Sequence, residues 1–173
     1  MMQKIALGLA GLFLAGTISS ANAAASPALS GRPAQAAAYF EQYCLTNGGN
    51  LAQAIAAFAG SKTFGNQSGT NAGRITYASF TGPDGINASV KIGFSSIADH
   101  CSIIVIGAGD AMALSKALAD HFAGETGPSI SSVEPFADYG EGGYAVPYQG
   151  GQIIAAPMTT GIQPGIVHIN FFP

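Results

Sequence analysis

Apolar residues recur along this chain with two different periods, and the switches between them lay out the elements. Pro33 suits the first turn of a helix. From there Ala36, Phe40, Tyr43 and Cys44 recur at helical spacing and share one face, and Gly48-Gly49 ends the run. Asn50 reads as the N-cap of a second helix, with Gln53 three positions on as its reciprocal partner. Leu51, Ile55 and Phe58 form its buried stripe and Gly60 stops it. The pattern predicts a helical hairpin. Residues 61–73 are small and polar and read as a loop.

The period then shortens. "RITYASF", the turn "TGPDG" and "INASVKIGF" predict a β-hairpin, with Gly85 supplying a positive φ. "CSIIVI" is apolar on both faces except for Ser102, as expected of a central strand covered on both sides. A third helix is predicted over Ala111–Ala123, with Leu114, Ala117, Leu118, His121 and Phe122 on one stripe and Gly124 as terminator. "GYAVPY", "GQIIAAPM" and "GIVHINFF" return to β-structure, with Pro147 and Pro157 marking edges or strand ends. This order predicts an α+β fold: an N-terminal helical hairpin and one later helix packed on a mainly antiparallel β-sheet.

The N-terminus changes the picture of where this domain works. Lys4, the apolar run Ile5 to Gly16 and Ala21-Asn22-Ala23 fit a signal peptide over residues 1–23, and the run is too short for the ~20 residues of a membrane span. Residues 24–33 read as a flexible leader and 34–173 as a single domain, exported to the periplasm or secreted. The short Ala/Gly-rich signal has a bacterial look. Five basic side chains would then face nine acidic ones, a net charge of −4. With no Lys/Arg cluster, that balance argues against nucleic acid as a partner. In an oxidising compartment Cys44 and Cys101 are most simply a disulfide. The rival reading, a catalytic thiol served by His100, suffers because adjacent strand residues point to opposite faces.

"IIVIGAGDAMALSKAL" begins like a dinucleotide fingerprint, with Gly107 and Gly109 in the first two glycine positions. Met112 occupies the third, and Asp110 stands where a pyrophosphate would approach the helix N-terminus. The expectation is therefore no cofactor, with Gly107 to Gly109 a turn and Asp110 an N-cap. His100, His121 and His168 match no metal-ligand spacing, so no metal is expected. His121 closes a helix where an imidazole favours the dipole, and His100, following Asp99 at a strand start, reads as a turn residue. Serines sit in no nucleophile-elbow motif.

The most site-like stretch is "VEPFADYGEGGYAVPY", residues 133–148, where acids and aromatics are threaded by Gly and Pro. Tyr139, Tyr144, Tyr148 and Glu134 are the expected ligand-binding residues, since tyrosines combine contact area with a polar tip. The plain alternative is a loop whose aromatics fold back on the core. Its acids lack the alternating spacing of a Ca²⁺ loop. The leading expectation is a non-enzymatic domain that binds a protein or a small-molecule ligand. The alternative is a hydrolase of cell-envelope or extracellular polymers, with His168 paired to Asp138 or Glu141.

The segments "YFEQYCLTNGG" and "HCSIIVIGAGDAMALSKAL" resemble those of small exported proteobacterial two-cysteine proteins of unknown function. The resemblance implies a Cys44–Cys101 pairing and brings no activity with it.

Overall fold

A computed structural model describes residues 28–124, 131–133, 143–158 and 165–173. Helix α1 (Gly31–Phe40) runs into a single π-helical turn, Glu41–Leu45, and α2 (Leu51–Ala59) follows. Strands β1 (Gly65–Ala72), β2 (Ile75–Thr81), β3 (Ile86–Ile92) and β4 (His100–Val105) precede α3 (Ala111–Ala123). Then come β5 (Ser131–Val133), β6 (Gly143–Tyr148), β7 (Gly151–Met158) and β8 (Ile166–Phe172). The fold is α+β. All strands join one sheet of order β1-β2-β3-β4-β8-β7-β6-β5, and every pairing is antiparallel.

The three helices lie on one face. α1 and α2 pack on β2 to β4, and α3 packs on β6 to β8. Alternation puts Ile86, Ala88 and Val90 of β3, Cys101, Ile103 and Val105 of β4, and Val167, Ile169 and Phe171 of β8 on that face, all buried. Phe40, Phe58, Leu118 and Ala119 meet them from the helices. Tyr39, Tyr43, Phe58, Phe64 and Phe80 form an aromatic seam between the hairpin and β2, with centroids 4.7 to 5.4 Å apart in successive pairs.

Cys44 and Cys101 are joined by a disulfide, with Cα atoms 5.6 Å apart and both residues buried. It fastens the end of the first helix to a central strand. The π turn serves that bond. Thr46 N–H reaches back to the Glu41 carbonyl at 3.0 Å, and the widened turn sends three successive side chains, Tyr43, Cys44 and Leu45, into the interior.

Several expectations need correcting. Residues 61–73 are not a loop throughout, because 65–72 form strand β1. It is exposed along its whole length and mostly polar, so no hydrophobic alternation marks it, and it is held through its pairing with β2. The first helix starts at Gly31, inside the stretch read as a leader. Asn50 does cap α2, accepting Gln53 N–H at 3.1 Å, but its own N–H donates to the Asn47 carbonyl, so the reciprocal arm is not used. On α3 the buried line is Ser115, Leu118 and Ala119, and Ser115 spends its hydroxyl on the Ala111 carbonyl at 2.8 Å. His100 opens β4 and is buried, with Nδ1 2.7 Å from the Ala98 carbonyl oxygen. Asp84 shares the turn's positive φ with Gly85, at 51° and 74°. Pro147 and Pro157 sit one residue from the ends of their strands, where a missing donor costs least.

Candidate ligand-binding groove

The π turn, the end of α3 and the β6–β7 hairpin converge at one end of the helical layer. Between them lies a groove of about 520 Å³, lined by Glu41, Leu45, Thr46 and Gly48 on one wall. His121 and Phe122 form the second wall, and Tyr148 with Gln149 the third. Each wall is held by a separate device. Glu41 belongs to the turn that Cys44 anchors three residues later, and Thr46 Oγ1 donates to the Glu41 carbonyl at 2.7 Å. Phe122 is wedged against Phe40, centroids 5.2 Å apart, which fixes the C-terminal turn of α3. Tyr148 packs edge-on against Phe171 at 5.8 Å.

Gln149 and Gly150 form the two-residue β6–β7 turn with φ of 44° and 86°. Such a turn favours Asn-Gly, and a glutamine held left-handed costs on the order of 1 kcal/mol. The conformation turns its amide toward the groove, where Nε2 donates to the Tyr148 hydroxyl at 3.3 Å. Across the groove His121 Nε2 lies 3.2 Å from Glu41 Oε1, with both side chains about half exposed. An acceptor carboxylate, an imidazole, two hydroxyls and an amide thus stand beside the apolar side chains of Leu45 and Phe122. That combination can hydrogen-bond a small polar ligand while an aromatic surface covers its apolar side.

Of the residues expected to bind ligand, Tyr148 lines this groove. Tyr144 lies on the same side of β6, half-buried and packed against the core. Tyr139, Glu134, Asp138 and Glu141 lie outside the described residues. His168 sits on the opposite face of the sheet, half-buried in the middle strand β8 between Ile104 and Ala156. The groove and His168 are separate places. Glu41, Gln149 and the pairing role of His121 were missed by sequence reasoning. Glu41 and His121 stand 80 positions apart, and nothing local ties them. The Gln-Gly pair between two strands was the one available signal for the turn.

The face of the sheet opposite α1 to α3 carries a second unusual feature. Ser68, Ser79, Ser89, Ser102 and Asn170 pair in register, a polar row across five strands. At its β4–β8 end Ser102 and Asn170 are fully buried, and neither Ser102 Oγ nor Asn170 Oδ1 has a hydrogen-bond partner among the described residues. The glycine turn that begins like a dinucleotide fingerprint is tied into the fold by hydrogen bonds. Asp110 Oδ1 accepts Ala113 N–H at 3.0 Å, Ala108 N–H donates to the Gly165 carbonyl, and Arg32 clamps the Gly107 and Asp84 carbonyls. No group of three His, Cys, Asp or Glu suited to a metal ion occurs among the described residues, nor any helix long and apolar enough to cross a membrane. The chain matches no known family model, no curated protein and no solved structure.

Proposed function

We propose that this chain is an exported binding domain, working in the periplasm or outside the cell, that holds a small polyhydroxylated or amine-bearing ligand in the groove between Glu41, His121 and Tyr148. The observation that carries this reading is the convergence of three independently braced walls on one set of hydrogen-bonding groups. Glu41 accepts from a hydroxyl or ammonium, Gln149 and Thr46 supply further polar contacts, and Tyr148 with Phe122 covers the apolar face of a ring. The signal-like N-terminus and the disulfide support the compartment.

The test is a calorimetric screen of the purified protein against neutral and amino mono- and disaccharides. A sugar that binds wild type should lose about tenfold or more in affinity in Tyr148→Ala and in Glu41→Gln, because each removes a contact worth about 1.4 kcal/mol or more. No binding across the panel, or binding that both variants leave intact, would overturn the assignment.

A further inference from the structure

Among the described residues the sheet has two edges, and they are very unequal. β5 is three residues long, whereas β1 is eight, about 27 Å at ~3.4 Å per residue. An edge strand presents backbone N–H and C=O groups away from its one neighbour. Proteins guard such edges with lysine, proline, inward charge or a covering element. β1, with the sequence GNQSGTNA, contains no proline and no ionisable residue, and all eight residues are exposed. Its bulge is confined to the stretch between Gly65 and Ser68; from Ser68 to Ala72 the pairing with β2 is regular. This segment is exposed and carries neither a charge nor a proline to guard it.

We propose that β1 is a self-association edge: two copies of the chain pair β1 to β1, antiparallel about a two-fold axis, and join their sheets into one. Three features select a second copy as the occupant. A two-fold pairing sets the strand against itself, so any charge in it would meet its like, and β1 has none. The nearest ionisable residues, Lys62 and Arg74, lie beyond its ends. Asn, Gln, Ser and Thr side chains each offer both donor and acceptor, so the strand is complementary to its own copy. Finally, among the described residues β5 spans only three positions, too few to receive β1 over its length, so the contact closes as a dimer instead of propagating as a filament.

A strand pair without an apolar core belongs at the small end of interface sizes, and association in the range of about 10 μM to 1 mM follows. Sedimentation equilibrium across that range should show the mass of the folded wild-type chain rising toward the dimer. Ser68 and Thr70 lie on one side of β1, so Ser68→Lys/Thr70→Lys puts ammonium groups against each other across the two-fold. This variant should stay monomeric throughout, with an unchanged circular dichroism spectrum. Met112→Lys/Ala113→Lys, which adds the same charge on exposed positions of α3, should dimerise like wild type. Mixing the lysine variant with Ser68→Glu/Thr70→Glu should restore a heterodimer, which requires β1 to face β1. A wild type monomeric at 1 mM, a lysine variant that dimerises like wild type, or a mixture that does not associate would each overturn the proposal. Association of wild type through another surface would show itself as the second or third of these results, and a β1 edge that serves a foreign strand instead as the first.

Discussion

Strands β4 and β1 lie three places apart in one sheet and obey opposite rules. β4 is covered on both sides: Cys101, Ile103 and Val105 face the helices, His100 and Ser102 are buried on the other face, and only Ile104 is partly exposed. β1 buries nothing. The first is held by side chains and would stay folded through their packing, whereas the second is held by ladder hydrogen bonds to β2 and by the Ser68–Ser79 hydroxyl contact at 2.7 Å. A sheet can thus be rigid at its centre and adjustable in composition at its edge. The candidate groove sits against the rigid part, and the association edge is the adjustable one.

The largest break in this comparison comes from removing the bond that ties the helices to β4. Cys44→Ala/Cys101→Ala opens a loop spanning 57 positions and should cost about 4 kcal/mol, read as a lower midpoint in urea unfolding. The same change loosens the Glu41 turn, so any ligand affinity of the groove should fall with it. A loss under about 1 kcal/mol would mean that the packing of α1 and not the disulfide holds the hairpin to the sheet.

Next in size is a matched pair of truncations. Ile103→Ala in β4 removes a fully buried side chain and should cost about 3 kcal/mol. Thr70→Ala in β1 should stay within about 0.5 kcal/mol, as exposed positions do. Equal losses at the two sites would sink the contrast between centre and edge.

The same contrast explains what could be read from the sequence. Ile103, Val105, Val167 and Ile169 announce their strands because burial demands branched apolar residues at every second position. Asn50 and Asp110 announce their helices because a cap needs a short acceptor at one place. β1 was read as a loop because a strand exposed on both faces has no residue whose burial selects its type. The groove was half legible. Tyr148 stood out as an aromatic near glycines, but Glu41 and His121 become partners only through the packing of α1 against α3, which Phe40 and Phe122 set. His121 in isolation fits a helix-dipole role equally well.

The smallest effect concerns the one place where the centre of the sheet breaks its own rule. Ser102 Oγ is fully buried with no hydrogen-bond partner among the described residues, and its cross-strand neighbour Asn170 has an equally unpartnered Oδ1. Among the described residues Asn170 Nδ2 reaches the Ile154 carbonyl, at 3.5 Å. A buried hydroxyl without a partner carries a desolvation cost of about 1–3 kcal/mol, and deleting it returns most of that cost while removing one atom's packing. Ser102→Ala should therefore stabilise the protein by about 1 kcal/mol, raising the urea midpoint without changing the slope. The sign is the informative part. A destabilisation of similar size would mean that the hydroxyl is bridged to Asn170 by bound water, and the polar row would then be a satisfied network contributing to the rigidity of β4 and β8. In that case Asn170→Leu should also destabilise. If Ser102→Ala instead stabilises, Asn170→Leu should be near neutral, because the amide would lose little beyond its long contact with Ile154.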